Sequence, residues 1–148
     1  MNRFLVTLGL LAPLVLSACS NFEAEWDRRL HTKALDGFDG CWTGQWRSET
    51  SGHDGDLRAI VTRSGDSDYS IRYHALYGPK ALPIPFEYTL DSVKVEREGD
   101  VFKVAGAIDM GFFGKYSYDG NCSGDSYKSN YVSEYDRGVF DLKRTAAD

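Results

Sequence analysis

From Gly40 onward, apolar and polar side chains alternate with a period of two, and clusters of Gly, Asp, Ser and Asn interrupt them roughly every 8 to 15 residues. A period of two puts successive side chains on opposite faces of an extended chain, so this beat specifies strands with one apolar and one wet face. It predicts eight of them: Cys41 to Ser48, Leu57 to Arg63, Tyr69 to Tyr77, Ile84 to Val95, Val101 to Ile108, Lys115 to Asp119, Ser126 to Val132 and Gly138 to Arg144. Connections such as Ser64-Gly65-Asp66-Ser67 and Arg97-Glu98-Gly99-Asp100 are short enough for antiparallel hairpins. No helical stretch intervenes to carry a parallel crossover. Eight such strands in succession close into an up-and-down barrel without an unpaired edge. The expected fold is all-β, an eight-stranded antiparallel barrel over residues 40–148, and a chain of 148 residues suits a single core.

Before Gly40 the period is helical. Ser20 with Glu23 three residues on is a capping-box pattern, and Phe22, Trp26 and Leu30 make one apolar stripe on a short helix. That helix either plugs the end of the barrel or lies on it as part of a tether. Asp36-Gly37-Phe38-Asp39-Gly40 then breaks it with two glycines.

Gly40-Cys41-Trp42 and Gly44-Gln45-Trp46 both fit the G-x-W that opens the first strand of the calycin superfamily, and Arg144 ends the eighth strand. Together with the preceding helix, the domain resembles lipocalins and their relatives. The resemblance implies a tryptophan inside the closed end beneath an arginine of the last strand, with Gly44, Trp46 and Arg144 as the structural signature. It also implies a barrel able to hold a small ligand. The chain departs from the pattern in carrying two such motifs, short hairpins where lipocalins have a long first loop, and an interior rich in tyrosine.

Met1 to Ser20 hold one charge, Arg3, followed by an uncharged apolar run from Phe4 to Leu16 and then small residues. This is the form of a secretory signal peptide, too short to span a bilayer. Its end, Leu16-Ser17-Ala18-Cys19, resembles the lipobox of bacterial lipoproteins. The resemblance implies removal of residues 1–18, lipidation of Cys19, and a tether and helix over residues 19–39. Ser20 in place of Asp after that cysteine implies sorting to the outer membrane, with the domain facing the periplasm. Acyl chains at Cys19 would be the link to the membrane.

Cys41 and Cys122 remain, an even number in an oxidising compartment, and the expectation is a disulfide between them. In an up-and-down barrel, the start of strand one and the turn between strands six and seven lie at the same end. A loop that long would contribute roughly 4 kcal/mol in the chain-entropy model. The alternative is two buried thiols that never meet. Their spacing does not suit a zinc site.

Catalysis finds little footing. His31 lies in the helix, His53 in the turn Ser51 to Asp56, and His74 on the outer face of the third strand. His53 beside Asp54 and Asp56 is a candidate acid-base group or metal ligand, but a polar hairpin loop uses such residues anyway. Asp119 to Gly124 begins like a calcium loop, yet position 12 is Asn130, so it reads as a turn. The expectation is a non-enzymatic protein without metal or cofactor. A net charge of −5 gives no footing to nucleic acid.

Tyrosine is the unusual statement in the composition: nine residues, eight on rows assigned inward. Buried phenols need hydrogen-bond partners, so they either pair among themselves in a filled core or surround a ligand. In the second case Tyr73, Tyr77, Phe86, Tyr88, Tyr118 and Tyr131 are the candidate binding residues, for a small, partly apolar or aromatic molecule. In the first, the barrel is a structural or interaction module that holds another envelope protein.

Overall fold

The computed structural model describes residues 21–147. Cys19, its lipobox and Ser20 of the capping pattern lie outside the described residues. Helix α1 (Phe22–Leu30) precedes eight strands: β1 (Gly40–Ser48), β2 (Asp54–Arg63), β3 (Asp68–Tyr77), β4 (Ile84–Glu98), β5 (Val101–Asp109), β6 (Lys115–Ser123), β7 (Ser126–Ser133) and β8 (Arg137–Thr145). Each strand pairs antiparallel with the next, and β1 pairs with β8, which closes the barrel. The fold class read from the alternation is the fold observed. Strand β6 runs on to Ser123, because Asp119 pairs directly with Asn130 on β7, and the turn is Gly124-Asp125. Gly99 and Gly124 open the two tightest turns at φ of 60° and 57°, a conformation that side-chain-bearing residues adopt only with strain.

One end of the barrel is sealed by the segment that reads as a helix breaker. Asp36 Oδ1 accepts the amides of Phe38 and Asp39, both at 2.8 Å, and this local turn drives Phe38 into the barrel. There Phe38 is fully buried and meets Trp42, Tyr69, Phe102 and Tyr127, the last edge-on at 5.0 Å between ring centroids. Burying such a ring stabilises the fold by roughly 1.5–3 kcal/mol. Burial alone would raise the Asp36 carboxyl, but the Tyr69 hydroxyl at 2.6 Å and the two amides outweigh it and hold the group below its ordinary value. Asp39, also fully buried, accepts from Arg29 at 2.7 Å and from the amides of Leu35 and Arg63.

Helix α1 lies along the barrel's outer wall. Phe22 and Trp26 cover Cys41 and Ile60, two apolar residues on the outward side of β1 and β2. Arg58 stacks over both rings, at 4.9 and 5.1 Å, and pairs with Glu23. Arg72 joins Glu25 at 2.6 Å to Glu87 at 3.0 Å, tying the helix to β3 and β4.

The expected disulfide is absent: Cys41 and Cys122 are free thiols. They do lie at one end of the barrel, as the topology requires, but on opposite faces of the wall. Trp42 points inward, so its neighbour Cys41 points outward and packs under α1, while Cys122 belongs to the interior core. Burial pushes the Cys41 thiol up to about 11 and Cys122 up to about 12, so neither is a reactive thiolate.

Arg144 closes the arrangement. Its guanidinium lies 4.4 Å from the centre of the Trp42 ring and donates to the carbonyls of Asp39, at 3.0 Å, and Gly37. The tryptophan beneath the arginine is therefore Trp42, not Trp46. Arg144→Ala removes the stacking, takes the guanidinium from the Asp39 carbonyl and leaves that of Gly37 only the weak Cys122 thiol donor, and a loss of about 2–3 kcal/mol is expected in urea unfolding. The melting temperature should be the same with and without reductant, whereas a drop on reduction would revive the disulfide.

Candidate ligand-binding site

The barrel is solid at one end and hollow at the other. Around Phe38 the inward side chains of Trp42, Val61, Ile71, Val104, Tyr127 and Leu142 fill the interior. Above them Tyr73 and Tyr127 share a hydroxyl–hydroxyl hydrogen bond of 3.0 Å, which forms the floor of a cavity of about 340 Å³. Its walls come from the halves of β3 to β8 nearest the loops 78–83, 110–114 and 134–136. An eight-stranded barrel has just this latitude, being narrow enough for side chains to fill and wide enough to hold one small molecule when they do not.

All six residues expected to face a ligand line this cavity: Tyr73, Tyr77, Phe86, Tyr88, Tyr118 and Tyr131. Five of their rings, all but that of Tyr118, belong to one continuous chain of contacts. Trp46 meets Tyr77 at 4.4 Å, Tyr77 meets Phe86 at 6.0 Å, and Phe86 meets Tyr88 at 5.8 Å. Tyr88 stacks on Tyr73 at 5.1 Å, and the chain continues through Phe140 to Tyr131 and Tyr116. Two cross-strand glycines make room for the lining rings. A Cβ on Gly106 would overlap the hydroxyl of its partner Tyr118, and one on Gly138 would overlap that of Tyr131.

Sequence reading passed over the residues supplied by loops and by the adjoining turn. Phe113 comes from a 3₁₀ turn (Gly111–Phe113), Met110 is the residue that caps its start, and Asp136 comes from the β7–β8 loop. The Asp136 carboxylate accepts from Ser48 Oγ at 2.6 Å and from the Tyr131 hydroxyl at 3.0 Å. Burial, then the neighbouring phenol of Tyr116 and the charge of Asp136, push the Tyr77 phenol up to about 12. Burial likewise holds Tyr73 and Tyr88 well above 10, so these phenols are neutral hydrogen-bond donors at ordinary pH. The hydroxyls of Tyr77, Tyr88, Tyr116 and Tyr118 make no hydrogen bond within the described residues. Such a wall offers apolar area with a few polar groups aimed inward.

The other singled-out residues lie elsewhere. Trp46 stands at the cavity's mouth, its Nε1 donating to Leu76 O at 2.9 Å, and Gly44 lies where a Cβ would strike the β8 backbone. His53 is exposed in the β1–β2 loop, His31 is exposed after α1, and His74 packs against Phe22 at 4.9 Å. Among the described residues no group of His, Cys, Asp and Glu could hold a metal ion.

The floor makes a non-additivity test possible. Tyr127→Phe leaves the buried Tyr73 phenol unpaired and should cost about 1–2 kcal/mol, and Tyr73→Phe, which leaves Tyr127 beside Ser129, should cost less. The double substitution should cost clearly less than the sum of the two in urea unfolding. No protein-family model, curated protein or solved structure matches the chain.

Proposed function

We propose that the protein is an outer-membrane lipoprotein, anchored through Cys19 and facing the periplasm, whose barrel binds one small, partly apolar molecule. The carrying observation is the half-hollow interior: a cavity of about 340 Å³ walled by aromatic rings, where four tyrosine hydroxyls, those of Tyr77, Tyr88, Tyr116 and Tyr118, make no hydrogen bond within the described residues. A barrel evolved only as a solid module has no physical reason to leave this space unfilled, because an unfilled apolar void forfeits packing energy. The cavity reading thus outweighs the filled core. Binding rather than catalysis fits a wall that has no histidine or cysteine and whose serine, Ser129, has no general base beside it and donates instead to the Asp119 carbonyl.

The module reading has its own support. Phe112, Leu82 and Tyr135, in the loops at the open end, are 97%, 75% and 67% exposed. Exposed rings and aliphatic chains grouped at one end suit contact with another envelope protein. The two readings part on one variant. Ile108→Trp fills the cavity from its lining and leaves those loops untouched.

Native mass spectrometry of protein purified from its own envelope should show a single non-covalent adduct. Ile108→Trp should abolish that adduct while shifting the melting temperature by only a few degrees, since the side chain rests on the core on one side and borders the cavity on the other, where the larger ring has room. An adduct of equal occupancy in the variant would remove the cavity from the function. For the anchor, labelled palmitate should be incorporated into the wild-type chain and not into Cys19→Ala. Equal label in both would refute lipidation at that residue.

A further inference from the structure

We propose that the cavity selects an apolar molecule carrying a positively charged nitrogen, an amine or a quaternary ammonium, over neutral or anionic molecules of the same size. The inference rests on the binding reading above and adds the sign of the ligand's charge.

The first observation is an uncompensated carboxylate. Asp36 lies 3.7 Å from Arg63, Asp39 lies 2.7 Å from Arg29, and Glu25 and Glu87 share Arg72 at 2.6 and 3.0 Å. Asp136 is half-buried and borders the cavity, yet among the described residues no Lys, Arg or His lies within ion-pair distance of it. Its two partners, Ser48 and Tyr131, are neutral hydroxyls. They orient the carboxylate without cancelling its charge. A carboxylate has about four acceptor sites, so two remain for a ligand.

The second observation is independent of the first. The cavity lining contains no basic side chain at all, and more than half of its residues are aromatic. The face of an aromatic ring is the negative end of its quadrupole, so a box of ring faces attracts a cation. Phenols kept neutral by burial preserve that preference, since they neither repel nor neutralise the guest. An anionic head group in the same place would meet Asp136 with no cation to offset it, and only neutral phenol hydroxyls would replace its water.

Position gives the ligand its polarity. Asp136 sits at the open end with Tyr77, Tyr116 and Tyr131, while Tyr73, Leu90 and Phe140 line the deeper part. The cationic nitrogen would face the mouth, and the apolar body would point down toward the Tyr73–Tyr127 floor.

Three water-soluble probes of similar size test the charge: benzyltrimethylammonium, benzyl alcohol and phenylacetate. Calorimetric titration of the full mature chain in nanodiscs, against empty nanodiscs, should give about tenfold or tighter binding for the ammonium than for the alcohol, and none detectable for phenylacetate. Asp136→Asn keeps an acceptor oxygen for one of the Ser48 and Tyr131 hydroxyls and offers an amide N–H to the other, which can turn to accept it; it should remove most of that preference while the alcohol still binds. Should that variant not fold, Tyr116→Leu, whose hydroxyl holds nothing within the described residues, should weaken the ammonium about threefold and leave the alcohol within twofold. Alcohol or phenylacetate binding as tightly as the ammonium would overturn the charge selection and leave the binding site standing. A preference unchanged in the variant that folds would do the same. Wild-type protein that takes none of the three would overturn the binding reading itself.

Discussion

The stacking of Arg144 on Trp42 is the contact on which the rest of the barrel depends. One guanidinium holds the last strand, the first strand's tryptophan, and the carbonyls of Gly37 and Asp39. Those carbonyls belong to the segment that carries Phe38, so the contact that joins the two ends of the sheet also fastens the plug. A barrel closed only by strand pairing would be free to breathe at its end. Here the end is covered by a planar cation that stacks on Trp42 and is hydrogen-bonded to the plug.

A solid lower half is what permits a hollow upper half. Void space in a protein interior costs dispersion energy, and the remaining core must offset it. The rings of Phe38, Trp42, Tyr69, Phe102 and Tyr127 concentrate that packing below the Tyr73–Tyr127 hydrogen bond. Above it the aromatic side chains touch edge and face along the wall and leave the centre open. The glycines at 106 and 138 contribute by omission, since any side chain there would push Tyr118 or Tyr131 off the wall.

How much of this was legible in the sequence follows from what a period of two can encode. It specifies which side of a strand a residue occupies, so the eight strands and the inward row of tyrosines could be read directly. It also contained the answer for the cysteines. Cys41 adjoins Trp42, and one of the two must point outward, yet proximity along the barrel axis was read as proximity in space. Residues outside strands have no such rule. Asp136, Met110 and Phe113 point into the cavity because of the particular turns that carry them, and Phe38 because Asp36 accepts two amides. The choice between Trp42 and Trp46 was equally undetermined, since both follow a glycine by two residues and both point inward. Only the register of β8 against β1, which sets Arg144 opposite Trp42, separates them.

The same register logic explains where the wall is weakest. Strand β4 pairs with β3 along nearly its whole length, but with β5 only from Val95 to Glu98 against Val101 to Val104. Hydrogen bonding between β4 and β5 stops at the level where the packed core gives way to the cavity. Beyond it, the strands stand apart, and Phe86 of β4 meets Phe113 of the 3₁₀ turn at 5.7 Å across the mouth. A continuous ladder there would need side chains packed behind it to hold its curvature, and the cavity supplies none. Loss of core and loss of ladder are therefore one event seen from inside and from the edge. The lowest local stability falls on the part of the wall that a ligand would have to pass.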